Sequence, residues 1–149
     1  MSNMETVHYY TTTISWQQGR IGKLESNGFD TITVATPPEF PKGVPNLWSP
    51  EHLFVASINV CLMTTFLSIA ENSKLGFVSY SAEAKGKLEK SDGKFMITEV
   101  EIIPRITVNL EKDIERAERI VHKAEEHCLI SNSVKTKISL KPLITKVEE

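Results

Sequence analysis

The stretch Ser49-Pro50-Glu51-His52-Leu53-Phe54-Val55-Ala56-Ser57-Ile58-Asn59-Val60-Cys61-Leu62-Met63-Thr64-Thr65-Phe66-Leu67-Ser68-Ile69-Ala70-Glu71-Asn72 decides the fold class. Ser caps a free backbone N–H, Pro fits the first helical turn, and an early carboxylate suits the positive end of a helix, so a helix is predicted from Ser49 to about Asn72. Its apolar residues run nearly all the way round, the pattern of a helix buried on most sides. A chain of 149 residues has little room for that. A second copy covering part of this helix is therefore expected.

Strand signals lie on both sides. Upstream, Val7 to Trp16 is rich in Tyr, Thr and Ile, Gln17-Gln18-Gly19 reads as a turn, and Arg20 to Glu25 and Thr31 to Thr36 read as two further strands. Pro37 to Trp48 holds four prolines and one glycine and is predicted to be a loop. Downstream, Phe77 to Glu89 and Lys94 to Val108 form two long strand candidates joined by Ser91-Asp92-Gly93, a hairpin turn signal. A charged helix follows from about Leu110 to His127, with Ile114, Ala117, Val121 and Ala124 on one stripe that Cys128 continues. Ser131 and Asn132 break it, Val134 to Leu140 alternates as a last strand, and a charged tail closes the chain. The order β-β-β-α-β-β-α-β is α+β, in a single domain spanning 1–149.

Composition removes several function classes. With 17 Lys+Arg against 19 Asp+Glu there is no basic excess for a phosphate backbone, so nucleic acid is not an expected partner. The polar start lacks the features of a signal peptide, and no segment is read as a membrane span, so a cytoplasmic protein is expected. Two cysteines are too few for a disulfide scaffold or an all-Cys metal site. His8 and His52 are isolated, and His122 and His127 point to different helix sides, so no metal is expected. Nucleophile-elbow, phosphate-loop and dinucleotide motifs are absent from the sequence.

The cysteines remain as candidate chemistry. A thiol in an apolar helix is ordinarily a small hydrophobe, and reactivity requires a cause that favours its thiolate. The helix dipole fades after the first turn, and Cys61 lies about three turns in, so a cation must come from elsewhere. Arg20, flanked by Gly19 and Gly22, is the candidate, although such an arginine can equally decorate a hairpin. Glu51 lies roughly 15 Å along the helix from Cys61, too far for direct contact, but a guanidinium between them could touch both. Cys128 meets Cys61 only if the second helix packs against the first. An open alternative is a non-catalytic dimeric module binding a small apolar ligand, with both cysteines as packing.

Taken together, these residues resemble the OsmC/Ohr family of osmotically inducible and organic-hydroperoxide-resistance proteins. Trp48-Ser49-Pro50-Glu51-His52-Leu53-Phe54, followed by Cys61-Leu62, is similar to the motif that carries its peroxidatic Cys. Glu126-His127-Cys128-Leu129-Ile130-Ser131-Asn132 is similar to its resolving-Cys motif, with Leu129 where many members have Pro. Gly19-Arg20-Ile21-Gly22 is similar to the Ohr-branch position of the activating Arg, and Thr31 to Trp48 contains no Arg that would serve instead. The Leu47-Trp48-Ser49-Pro50 approach is closer to poorly characterised branches.

The resemblance implies an intertwined OsmC-like homodimer acting as a thiol peroxidase. Cys61 would attack the peroxide and become a sulfenic acid, and Cys128 would condense with it to a disulfide. Arg20 would stabilise the thiolate, with Glu51 orienting it. No bound cofactor is implied; the reductant would be an external dithiol, of lipoyl type or carried by a lipoylated protein. Phe40, Trp48 and Phe54, placed beside the Pro-rich loop, are expected to line an entry that favours organic hydroperoxides.

Overall fold

The computed structural model describes residues 6–148. Its contacts group the chain into two compact units, Met1–His52 and Leu53–Glu149, the division falling in the first turn of the long helix.

The first unit is a three-stranded antiparallel sheet in the order β1 (Thr13–Gln18), β2 (Ile21–Glu25), β3 (Ile32–Ala35). All three strands fall where Thr and Ile enrichment places them, but β1 starts later and ends later than the sequence suggests. The turn is Gly19-Arg20, with Gly19 at φ +51°, so Arg20 sits in the turn and not at the start of β2. The Pro-rich segment is irregular, as expected, and is tied back to the sheet. Val44 N–H donates to the Thr36 carbonyl at 2.9 Å and Ala35 N–H to the Trp48 carbonyl at 2.8 Å.

Helix α1 spans Pro50–Asn72. Ser49 caps it, its Oγ accepting from the His52 backbone N–H at 3.1 Å. Ile58, Leu62, Phe66 and Ala70, four apart, form one buried face. The expectation of burial on most sides does not hold within the single chain: Val60 is 54% and Leu67 39% exposed. By length and composition α1 is long and apolar enough to cross a membrane, although its apolar run is not unbroken. Ser57, Asn59, Thr64 and Thr65 interrupt it. Packing of its Ile58 face into a protein core is the arrangement of a core helix.

The second unit is built on β4 (Phe77–Ser91) and β5 (Lys94–Val108), a hairpin of two 15-residue strands closed by Asp92 and Gly93 at φ +50° and +79°. Positive φ at both central residues is what a two-residue turn needs to match strand twist, and Asp-Gly accepts it with little strain. On its other edge β5 pairs in parallel with β6 (Lys137–Leu140) and β7 (Leu143–Lys146). The last strand falls in the segment that the sequence presents as a charged tail; its side chains alternate too weakly to announce it, and pairing with β5 decides it. Helix α2 spans Asp113–Glu126 and buries Ala117, Ile120, Val121 and Ala124. It starts three residues later than Leu110, because Asp113 and Ile114 N–H close turns onto the Leu110 and Glu111 carbonyls. The core joins the α1 face to Val100, Ile102, Ile106 and Val108 of β5 and to the α2 stripe.

Candidate functional site: two adjoining thiols

Cys61 and Cys128 belong to the second unit, near enough for Cys61 to act on the Cys128 thiol. Cys61 is on α1, one residue before Leu62 of the buried face, and keeps 8% exposure; Cys128 has none. Both are free thiols. Cys128 lies outside α2, because His127 leaves helical geometry at φ −101°, ψ 6°. Its N–H still bonds the Glu125 carbonyl at 3.2 Å, which keeps it on the inward side that the helical stripe points to. Burial pushes the Cys128 thiol up, and the neighbouring Cys61 thiol raises it further, while hydrogen bonds from the Ser131 hydroxyl and backbone N–H act in the opposite sense.

Thr65 neighbours Cys61, and Tyr80 and Ser131 act on Cys128. Thr65 Oγ1 is 3.9 Å from Cys61 Sγ, one helical turn on. Tyr80, on β4, packs its ring 5.1 Å from Phe66, and its hydroxyl is buried without a hydrogen-bond partner. Burial raises that phenol to about 12, with Cys128 adding to the effect. Asn59 donates from Nδ2 to the Ala82 carbonyl at 3.2 Å, leaving its Oδ1 buried and unpaired. Asn59, Val60, Met63 and Tyr80 line a small cleft of about 130 Å³. Ser131 opens a 3-10 turn, Ser131–Ser133, and its Oγ donates to Glu125 Oε1 at 3.0 Å. Sequence patterns do not single out Tyr80 or Glu125, because their neighbours come from other elements or from the turn after α2. In the sequence Ser131 reads as a helix breaker and as part of the segment similar to the resolving-Cys motif.

Arg20, Phe40, Trp48 and Glu51 belong to the first unit and Phe54 to the second. Arg20 is exposed on the rim of an apolar groove that Ile14, Trp16, Ile21, Val34 and Pro50 share. It makes no ion pair among the described residues, Glu51 included. Glu51 has one carboxylate oxygen, Oε1, buried and unpaired. Phe40 turns the Pro-rich loop, its N–H bonding the Pro37 carbonyl at 3.1 Å. Trp48 is half exposed and meets the His52 ring edge-on at 6.2 Å, while His52 Nδ1 lies 2.7 Å from Ser49 Oγ. Phe54 packs partly buried against the core of the second unit. Among the described residues no group of three or more His, Cys, Asp or Glu side chains is placed to hold a metal ion.

A family model described as OsmC-like protein matches residues 43–142, which include α1, the β4–β5 hairpin, α2 and both cysteines. The chain belongs to the OsmC-like protein family. Among curated proteins, the uncharacterized protein YmaD of Bacillus subtilis is 25% identical over 140 residues, covering 89% of this chain and 91% of that protein. An OsmC-like protein of unknown function from Vibrio cholerae superposes with a TM-score of 0.85 at 27% identity, over 92% of this chain and 100% of that one. An organic hydroperoxide resistance protein from Elizabethkingia anophelis superposes at 0.76 with 24% identity, over 97% of this chain and 100% of that one. The α+β fold expected from the sequence is thus the OsmC-like fold, carrying one more strand than expected.

Proposed function

We propose that this OsmC-like chain is a thiol peroxidase that reduces organic hydroperoxides. The observation that carries the reading is the adjoining pair of free thiols, Cys61 and Cys128, of which only Cys61 retains exposure to an incoming substrate. The organic hydroperoxide resistance protein among its structural relatives supports the choice of substrate class.

The Cys61 thiolate attacks the peroxide O–O bond, releasing the alcohol and leaving a sulfenic acid. Cys128, shielded from solvent, condenses with it, forming the disulfide and water. An external dithiol, of lipoyl type or on a lipoylated protein, then reduces the disulfide by exchange. Arg20 favours the thiolate and the departing alkoxide charge, and Glu51, whose buried Oε1 lacks a partner, orients it. Phe40, Trp48 and Phe54 favour organic over hydrogen peroxide. The working form is a homodimer in the cytoplasm, a second copy covering apolar residues that α1 leaves open, such as Val60 and Leu67.

One equivalent of cumene hydroperoxide tests this by mass spectrometry. A loss of two hydrogens with a Cys61–Cys128 cross-link is expected, and Cys61→Ser abolishes peroxide consumption. Unchanged consumption by Cys61→Ser would overturn the proposal. Equal turnover of cumene hydroperoxide and hydrogen peroxide would remove the apolar entry from it.

A further inference from the structure

Two threonines stand one helical turn after Cys61, and their hydroxyls reach different atoms of it. Thr64 Oγ1 donates to the Cys61 carbonyl at 3.1 Å, whereas Thr65 Oγ1 lies 3.9 Å from Cys61 Sγ. A threonine inside a helix ordinarily turns its hydroxyl back onto the carbonyl three or four residues earlier. For Thr65 the carbonyl four residues back is that of Cys61, and both of its lone pairs are taken. One accepts the Thr65 backbone N–H, as the geometry of α1 requires, and the other accepts the Thr64 hydroxyl. The Thr65 hydroxyl is thereby left to the sulfur, and it has no other hydrogen-bond partner among the described residues.

We propose that the Thr65 hydroxyl is a catalytic donor to Cys61, holding its sulfur as a thiolate while it attacks the peroxide. The inference rests on the thiol peroxidase reading above. Between a neutral thiol and a hydroxyl either group can donate; a thiolate can only accept, so ionisation fixes Thr65 as the donor. A hydrogen bond to a charged acceptor is shorter and stronger than one to a neutral partner. The contact at 3.9 Å therefore tightens as the proton leaves, and the stabilisation goes to the charged form. In the attack an electron pair on the thiolate sulfur forms an S–O bond to the terminal peroxide oxygen, and the O–O bond breaks. The alkoxide leaves and takes a proton from solvent, and Cys61 becomes the sulfenic acid. Thr65 keeps its own proton throughout, and the peroxide is the only oxidant.

The surroundings give this bond weight. Cys61 keeps only 8% exposure and the contact is partly buried, so little water competes for the sulfur and a hydrogen bond there is electrostatically stronger. A helix sets residues four apart on one face, so no separate element is needed to bring the hydroxyl to the sulfur. Arg20 belongs to the first unit, whereas Thr65 sits on the helix that carries Cys61. Among the described residues Thr65 is the one hydroxyl within hydrogen-bond reach of the Cys61 sulfur. The titratable group that faces Cys61 is Cys128, in the segment that follows α2.

Alkylation of the reduced protein by iodoacetamide, followed across pH by mass spectrometry of the Cys61 peptide, tests the donor without peroxide. Thr65→Val keeps the shape of the side chain and removes the hydroxyl. In it Cys61 reacts about fivefold more slowly near neutral pH, the loss of a charged hydrogen bond being partly offset by the greater nucleophilicity of a freer thiolate. The deficit closes in alkali, where both proteins hold Cys61 as thiolate. Thr65→Ser, which keeps the hydroxyl, restores the wild-type rate, and single-turnover oxidation by cumene hydroperoxide follows the same order. A wild-type rate in Thr65→Val at neutral pH, or an equal slowing at every pH, would overturn the donor and leave the peroxidase reading standing. A wild-type protein that does not consume cumene hydroperoxide would overturn the peroxidase reading, and the part of Thr65 in the attack with it.

Discussion

Arg116 fastens the start of α2 to the end of α1: its Nη1 lies 2.8 Å from Asp113 Oδ1, and its Nη2 donates to the Ser73 carbonyl at 2.8 Å. Asp113 is only 5% exposed, so its carboxylate depends on this partner. Removing Arg116 leaves a buried charge unpaired, a loss that usually costs more than the ion pair itself contributes. Arg116→Ala is expected to destabilise the protein by roughly 2–3 kcal/mol in urea unfolding. Asp113→Asn, which removes the charge along with its need for a partner, costs less.

Gly43 stands in the Pro-rich loop where no side chain fits. A Cβ there would lie 1.9 Å from the Pro37 carbonyl oxygen and 2.8 Å from Pro38 Cα, both backbone atoms that cannot move aside cheaply. Gly43→Ala is expected to cost at least about 2 kcal/mol in chemical unfolding. It should also break the Gly43 N–H bond to the Phe40 carbonyl, seen as faster exchange of that amide.

Tyr80 keeps its hydroxyl buried and unpaired, so Tyr80→Phe is expected to preserve stability near neutral pH or raise it by up to about 1 kcal/mol. The sign reverses the usual effect of deleting a polar group. In alkali the difference grows: the unfolded chain ionises this phenol from about pH 10, while the folded one holds its proton up to about 12. Stability of the wild-type protein therefore falls as pH rises through that window, and Tyr80→Phe lacks that part of the fall. Unfolding midpoints measured across the alkaline range decide it.

The two thiols should sense each other's charge. Burial is the larger cause of the raised Cys128 pKa and Cys61 the smaller, so in Cys61→Ser the Cys128 titration should move down. Thiolate absorbance in the ultraviolet, followed against pH, measures it. A midpoint that does not move on replacing Cys61 would show that the thiols are not electrostatic neighbours.

Much of the fold was legible because its signals are local. The Ser49-Pro50-Glu51 start of α1, the Asp92-Gly93 turn and the bounds of β5 each depend on a few adjacent residues and came out where the sequence put them. Helix α2 was legible as a stripe but not at its first turn. The strand β7 was not legible, because a four-residue segment becomes a strand only when β5 offers it an edge. The site divides in the same way. Cys61 and Cys128 stand out by rarity and by the motifs around them, whereas Tyr80, some fifty residues from Cys128, gives no sign of its role until β4 packs beside α1.

By itself the sequence determined the helices, the hairpins and the two cysteines as candidates, because capping, periodicity and turn chemistry act between near neighbours. Tertiary structure alone decided that Cys128 is buried where Cys61 acts on its thiol and that Ser131 bonds Glu125. It also decided that α1 keeps one face in the core while Val60 and Leu67 stay open. These depend on which surfaces meet when separate elements pack, and no short window of residues encodes that meeting.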